Sequence, residues 1–132
     1  LGGDAKRFDL ASRTLLAVGG VTDKPVLEAS GLYNAADTID AALQIVVVGA
    51  RGEAAADRLV RRIMKTSLPN RALEVIAPGS VLPEGHPARY KEQLDGKATA
   101  YVCRGTICSL PVTDIGELAV TLSLMRKSSN LQ

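Results

Sequence analysis

The run Gln44–Gly49, QIVVVG, constrains the fold more than any other stretch of the chain. An unbroken β-branched run has no polar alternation, which is the pattern of a strand buried on both faces. A chain containing it must supply cover for two sides of a sheet. The next segment, GEAAADRLVRRIMKTS, reads as a helix with Ala56, Leu59, Ile63 and Thr66 inward. Arg58, Arg61, Arg62 and Lys65 fall on its other side, the ordinary wet face of a helix that can also meet an acidic partner. Pro69 ends that helix, because it has no N–H to give the ladder, and ALEVIAP follows as a second strand. Strand, helix and strand at this spacing make a parallel βαβ unit. Ile45–Val48 is therefore expected to be the most buried strand, parallel to Leu73–Ile76.

The segments on either side complete an α/β chain. Before Gln44 lie two helical patterns. One has Asp4 at its N-cap and Phe8, Ala11, Leu15 and Val18 at helical spacing, with Gly19-Gly20 to stop it. The other has Pro25 in its first turn and Leu27, Ala35, Ile39 and Leu43 along one side, with Gly31 inside it. Residues 1–43 thus read as a helical hairpin whose apolar stripe needs a covering surface. Residues 44–132 read as a mixed-sheet unit. After the βαβ come PARYKEQL, a short helix or turn, then TAYVC and TICSLPV as a hairpin, then a terminal helix capped by Thr113 or Asp114. Leu118, Leu122 and Met125 repeat along one face of that helix, and Glu117 stands at capping-box spacing from Asp114. The order β-α-β-α-β-β-α is the element order of the thioredoxin fold. Thioredoxin chemistry places C-x-x-C where the first strand meets the first helix. Here that junction reads VGARGEAA and holds no thiol.

Composition narrows the function classes. Sixteen basic and fourteen acidic residues leave a net charge of +2, far from the concentrated basic face of a nucleic-acid binder. Aromatic residues are confined to Phe8, Tyr33, Tyr90 and Tyr101, too few for base-stacking platforms. No apolar run approaches the roughly 20 residues that span a bilayer, so neither nucleic acid nor membrane is expected as a partner. The sequence starts at Leu1 and shows no basic start with an apolar h-region, so a fragment of a larger cytoplasmic protein is expected. Two cysteines without an export signal fit a reducing compartment.

Candidate chemistry is sparse. Cys103 and Cys108 flank Gly105-Thr106 in CRGTIC. A two-residue turn there pairs Arg104 with Ile107 and sets the cysteines opposite each other as a non-hydrogen-bonded pair, with Cα atoms about 4.5 Å apart. That lies at the short edge of disulfide geometry, so the pair reads either as a reducible cross-strand bridge or as two small apolar side chains packed together. Alternation would put Tyr101, Cys103, Cys108 and Leu110 on one face, with Val102 and Ser109 on the other. In the cytosol the dithiol is expected to dominate. A second candidate is the turn Gly49–Gly52, where Gly49, Arg51 and Gly52 lead a buried strand into a helix N-terminus, the place where anions or nucleotide phosphates bind. It carries only part of a dinucleotide fingerprint, since Ala77-Pro78 stand where an acidic residue would end the second strand. His86, between Gly85 and Pro87, has no nucleophile at motif spacing and reads as a solvated loop residue. Asp37 and Asp40 share a helix face without a defined cleft. Two cysteines and one distant histidine cannot complete a four-ligand zinc site. No catalytic residue, cofactor or metal is implied.

One resemblance adds context. LDGKATAYVCRGTICSLPVTDIGEL is similar to the C-terminal end of the large thioredoxin-domain proteins of the spermatogenesis-associated family. Gly96, Thr99–Cys103, Cys108 and Pro111–Asp114 carry the similarity, and IVVVG, SLPNR and GDAKRFDLASRTL resemble family positions upstream. Ile115 stands where the family often has proline. The resemblance implies a parent chain with an N-terminal thioredoxin-like domain and a six-hairpin glycosidase-like α/α toroid, of which residues 1–43 would be the end. It implies that this region is a non-catalytic accessory domain packed on the toroid. Cys103 and Cys108 would be candidates for exchange with the thioredoxin-like domain, and the isolated chain would self-associate through its uncovered helices.

Overall fold

The computed structural model describes residues 5–19 and 29–127. Two helices, α1 (Ala5–Gly19) and α2 (Ser30–Ala41), pack on each other and lead directly into β1 (Leu43–Val48). Then follow α3 (Ala54–Met64), β2 (Arg71–Ile76), the hairpin strands β3 (Thr99–Arg104) and β4 (Ile107–Cys108), and α4 (Ile115–Lys127). The strands form one mixed sheet in the order β2-β1-β3-β4. β1 runs parallel to β2, with Ile45 opposite Leu73, and antiparallel to β3, with Ile45 opposite Val102. The β-branched run is thus an inner strand, and all of Ile45–Val48 is buried. The α/β class and the parallel pairing follow the sequence pattern.

The sheet's two faces are covered by different means. Leu43, Ile45 and Val47 of β1 join Ala100 and Val102 of β3 on one face. Leu59 and Ile63 of α3 and Leu118 and Leu122 of α4 close over them, all four fully buried. The opposite face carries Val46, Val48, Ile76 and Tyr101 under the segment 77–94, whose Ala88 and Leu82 pack onto it. PARYKEQL, which as a helix would have supplied a second helical layer, forms turns. His86 N–H donates to Pro83 O at 3.1 Å, and Arg89 N–H to His86 O at 3.0 Å. These local bonds satisfy the backbone without a continuous i to i−4 ladder. Asp95 and Gly96 then turn the chain into β3 with positive φ angles of 50° and 69° between the bridged residues Leu94 and Lys97. That backbone is the one an Asp-Gly type I′ turn adopts.

The hairpin ends earlier than the run TICSLPV suggests. Cys103 pairs with Cys108, but Ala100 bridges Val112, so the returning segment holds one extra residue. This is a β-bulge. Ser109 makes it affordable to the backbone: its N–H donates to Val102 O at 2.8 Å while its Oγ accepts the Val102 N–H at 3.2 Å. Leu110 is consequently thrown outward, 84% exposed, rather than lying beside Cys108. Asp114 caps α4, its Oδ1 accepting the N–H groups of Gly116 and Glu117 at 2.7 and 3.0 Å.

The helical pair is only lightly tied to the sheet. Thr38 Oγ1 lies 3.3 Å from Asn70 Oδ1, and the Asn70 side chain donates to the Asp37 carboxylate. Leu10, Ala11, Leu15, Ala35 and Ile39 line a groove between α1 and α2, and Leu16, Leu32 and Tyr33 are exposed on the same two helices. The expected start of the second helix at Pro25, together with Asp4, Leu27 and the Phe8 side chain, lies outside the described residues. Gly31 falls in the first turn of α2 rather than in its middle.

Candidate functional site

The two candidate sites lie at opposite ends of the sheet. Val48, which leads into the glycine turn, pairs with Thr99, whereas Cys103 pairs with Gln44 at the other end of β1. Four residues of extended chain separate them, about 13 Å.

At the first end, the turn closes on itself. Gly49 is buried, and a Cβ there would meet Ala56 Cβ at 2.8 Å and Ala98 Cβ at 3.3 Å. Close helix–strand packing therefore accounts for this glycine. Gly52 has φ +83°, the left-handed region a side chain resists. The Ala50 N–H, which an anion would use, donates to Glu53 Oε2 at 3.1 Å, and the Glu53 N–H returns to Ala50 O at 3.1 Å. A carboxylate already fills the mouth of the turn. Arg51 is exposed beside it. This geometry favours a tight, self-capped turn over an anion seat.

At the second end, the cysteines come together. Gly105 has φ +55° and Thr106 does not have positive φ, the pattern of a type II′ turn. Cys103 and Cys108 face each other with Cα atoms 4.0 Å apart and are joined by a disulfide. The two sulfurs differ in setting: Cys103 is buried at 5% exposure, and Cys108 is exposed. Lys91 reaches over from the loop, its Nζ 3.9 Å from Cys108 Sγ and 5.3 Å from the centre of the Tyr101 ring. Burial pushes the Lys91 ammonium below the usual lysine range. Nothing in the spacing of Lys91 marked it, because seventeen residues separate it from Cys108 and only the folded loop joins them.

Two further polar residues hold the surroundings. His86 is not a solvated loop residue: its side chain is 16% exposed, Nδ1 accepts the Ala88 N–H at 3.2 Å, and Nε2 lies 3.4 Å from Glu74 Oε1 on β2. It ties the covering loop to the sheet. Arg104 Nη2 donates to Met125 O at 2.6 Å, fastening the end of β3 to α4. Arg58, Arg61, Arg62 and Lys65 are exposed along α3, as the helical pattern implied. Asp37 is engaged by Asn70 while Asp40 is exposed, so the two do not converge on a cleft. Among the described residues no group of three or more His, Cys, Asp or Glu could hold a metal ion, and no helix is long and apolar enough to cross a membrane. Comparison of the chain with protein-family models, with curated proteins and with solved structures finds no match.

Proposed function

We propose that the chain is a non-catalytic α/β accessory domain of a larger cytoplasmic thioredoxin-domain protein, with the Cys103–Cys108 pair as its redox-responsive element. One observation carries the redox part: an exposed sulfur, Cys108, stands beside a lysine ammonium at the accessible end of a hairpin. Reactive cysteines occupy partly exposed, electropositive surroundings of this kind, whereas structural ones are enclosed. The bond closes only a short chain segment, five residues apart in sequence, so opening it loosens one hairpin and leaves the helix-covered core in place. The test is a redox titration of the whole chain in glutathione buffers, followed by thiol alkylation and intact mass. A midpoint near the cytosolic glutathione poise supports a responsive element. A midpoint far below it makes the bond a staple and ends the redox reading.

The docking part of the proposal has its own support in the groove between α1 and α2, where Leu10, 65% exposed, lines the apolar wall with Leu15 and Ile39. Contiguous exposed apolar side chains of this kind are where partner surfaces dock. In the parent chain the covering surface is the α/α toroid. In isolation a second copy takes its place, and light scattering is expected to show self-association. A strict monomer across the micromolar range overturns that expectation.

A further inference from the structure

The loop that covers the sheet does more than shield it, because it fixes where one cation stands. Ala88 is buried against Val46 and Val48, and the Lys91 N–H donates to Ala88 O at 3.0 Å. Immediately after Lys91, the Tyr101 hydroxyl donates to Glu92 O at 2.8 Å. Leu94 N–H donates to Thr99 Oγ1 at 2.8 Å, closing the segment. The backbone is thus held on both sides of Lys91, and its side chain lies across the Tyr101 ring toward Cys108. A cation over an aromatic face is attracted by the ring quadrupole, which favours this placement over free solution.

We infer that Cys108 is the exchanging sulfur of the pair: its exposure makes it the one that a dithiol partner attacks, and Lys91 stabilises the thiolate it becomes when the partner leaves. The inference rests on the redox reading above. In the first step a thiolate of the partner attacks Cys108 Sγ. A partner–Cys108 disulfide forms, the Cys103–Cys108 bond breaks, and its electron pair goes to the Cys103 sulfur, which takes up a proton. In the second step the partner's other thiolate attacks the partner's own first sulfur. The mixed disulfide breaks and Cys108 departs as a thiolate next to the Lys91 ammonium. The partner's dithiol is oxidised, this chain's disulfide is reduced, and two electrons have moved.

Access selects Cys108 as the sulfur attacked, and the Lys91 charge acts in the second step, where Cys108 is the leaving thiolate. Cys103, on β3, is 5% exposed, so an incoming thiolate reaches Cys108 more readily. Of the charged groups around Lys91 and the hairpin, Arg104 is held at α4 through Met125 O and Arg89 lies over Tyr90, while Glu92 shares a recess with Lys91. Gln44, opposite Cys103 on β1, carries no charge. Lys91 is the cation in contact with Cys108. Its partial desolvation penalises the charged ammonium, and a thiolate beside it offsets that penalty.

The test uses the full chain with single-cysteine variants, Cys103→Ser to leave Cys108 and Cys108→Ser to leave Cys103. Iodoacetamide alkylation is followed against pH. Cys108 is expected to react faster than Cys103 at pH 7, with an apparent pKa below the ordinary thiol value of about 8.5. Adding Lys91→Gln should raise that pKa and slow alkylation at pH 7 by about fivefold, the change in thiolate fraction expected for a water-screened charge at this distance. Lys91→Arg should restore it. Glutathione, a monothiol, should form its mixed disulfide with oxidised wild-type chain at Cys108, read by peptide mass. Faster reaction at Cys103, an adduct on Cys103, or a pH profile indifferent to Lys91→Gln overturns the inference. The wild-type disulfide is assayed in parallel with dithiothreitol. If it neither opens nor re-forms, the redox reading itself fails, and if it cycles while Lys91→Gln changes nothing, only the role of Lys91 fails.

Discussion

One face of the sheet is closed by two helices and the other by a loop, although β1 presents equally apolar side chains to both. On the helix face Ile45 and Val47 meet Leu59, Ile63, Leu118 and Leu122. On the loop face Val46 and Val48 meet Ala88 and Leu82, with much of the remaining cover polar: His86, Lys91 and the backbone of 77–94. A helix satisfies its own backbone and can devote a whole stripe to burial. A loop must satisfy each N–H and C=O separately, so less apolar surface remains available for the sheet. Stability is therefore concentrated on the helix face, and the loop face is where chemistry and local opening have room.

The comparison is broken most readily by core truncation. Leu118→Ala, on the helix face, should cost about 2–5 kcal/mol in urea unfolding, the range for fully buried leucine. Leu82→Ala, half-buried under the loop, should cost clearly less. Equal losses would show that the two faces contribute alike. Replacing both cysteines by serine should lower stability by about 2 kcal/mol, the chain-entropy value for so short a closed segment. Amide exchange is expected to rise in 99–112 while α3 and α4 keep their protection. Gly49→Ala should cost about 1–3 kcal/mol, since the new Cβ overlaps Ala56 on the helix side of the turn.

Smaller effects sharpen the contrast. His86→Ala should cost about 0.5–1 kcal/mol, and its signature is faster exchange confined to 77–94. At Asp114, hydrogen bonds from the N–H groups of Glu117 first and Gly116 next hold the carboxyl below the usual carboxylate range. A depressed folded pKa means that its contribution is present above the unfolded value of about 3.9 and is lost as pH falls through the folded value. Asp114→Ala should lower Tm at neutral pH and flatten its decline in acid. Asp114→Asn, which still caps, should recover part of the Tm without the pH dependence.

The periodic elements were legible because their signals are local. The β-branched run marked the buried strand, the stripe of Ala56, Leu59 and Ile63 marked α3, and Gly105 marked the hairpin turn that sets the cysteines opposite each other. Where the chain departs from that reading, the cause is a side chain acting on distant or irregular backbone. Ser109 substitutes for a backbone acceptor and shifts the register by one residue, so Leu110 points to solvent. Asp95-Gly96, whose dipeptide is a turn signal, delivers the loop back to the sheet.

The amino-acid sequence by itself determined the α/β class, the parallel βαβ unit, the antiparallel cysteine hairpin and the capped last helix. Each follows from side-chain period, turn chemistry or a missing N–H within about a dozen residues. Tertiary structure alone decided that His86 fastens the covering loop to Glu74, and that Lys91 stands at Cys108 while Cys103 is enclosed. Sequence period records which way a side chain faces along its own element. It does not record what another segment, folded over that face by its own hydrogen bonds, brings to meet it.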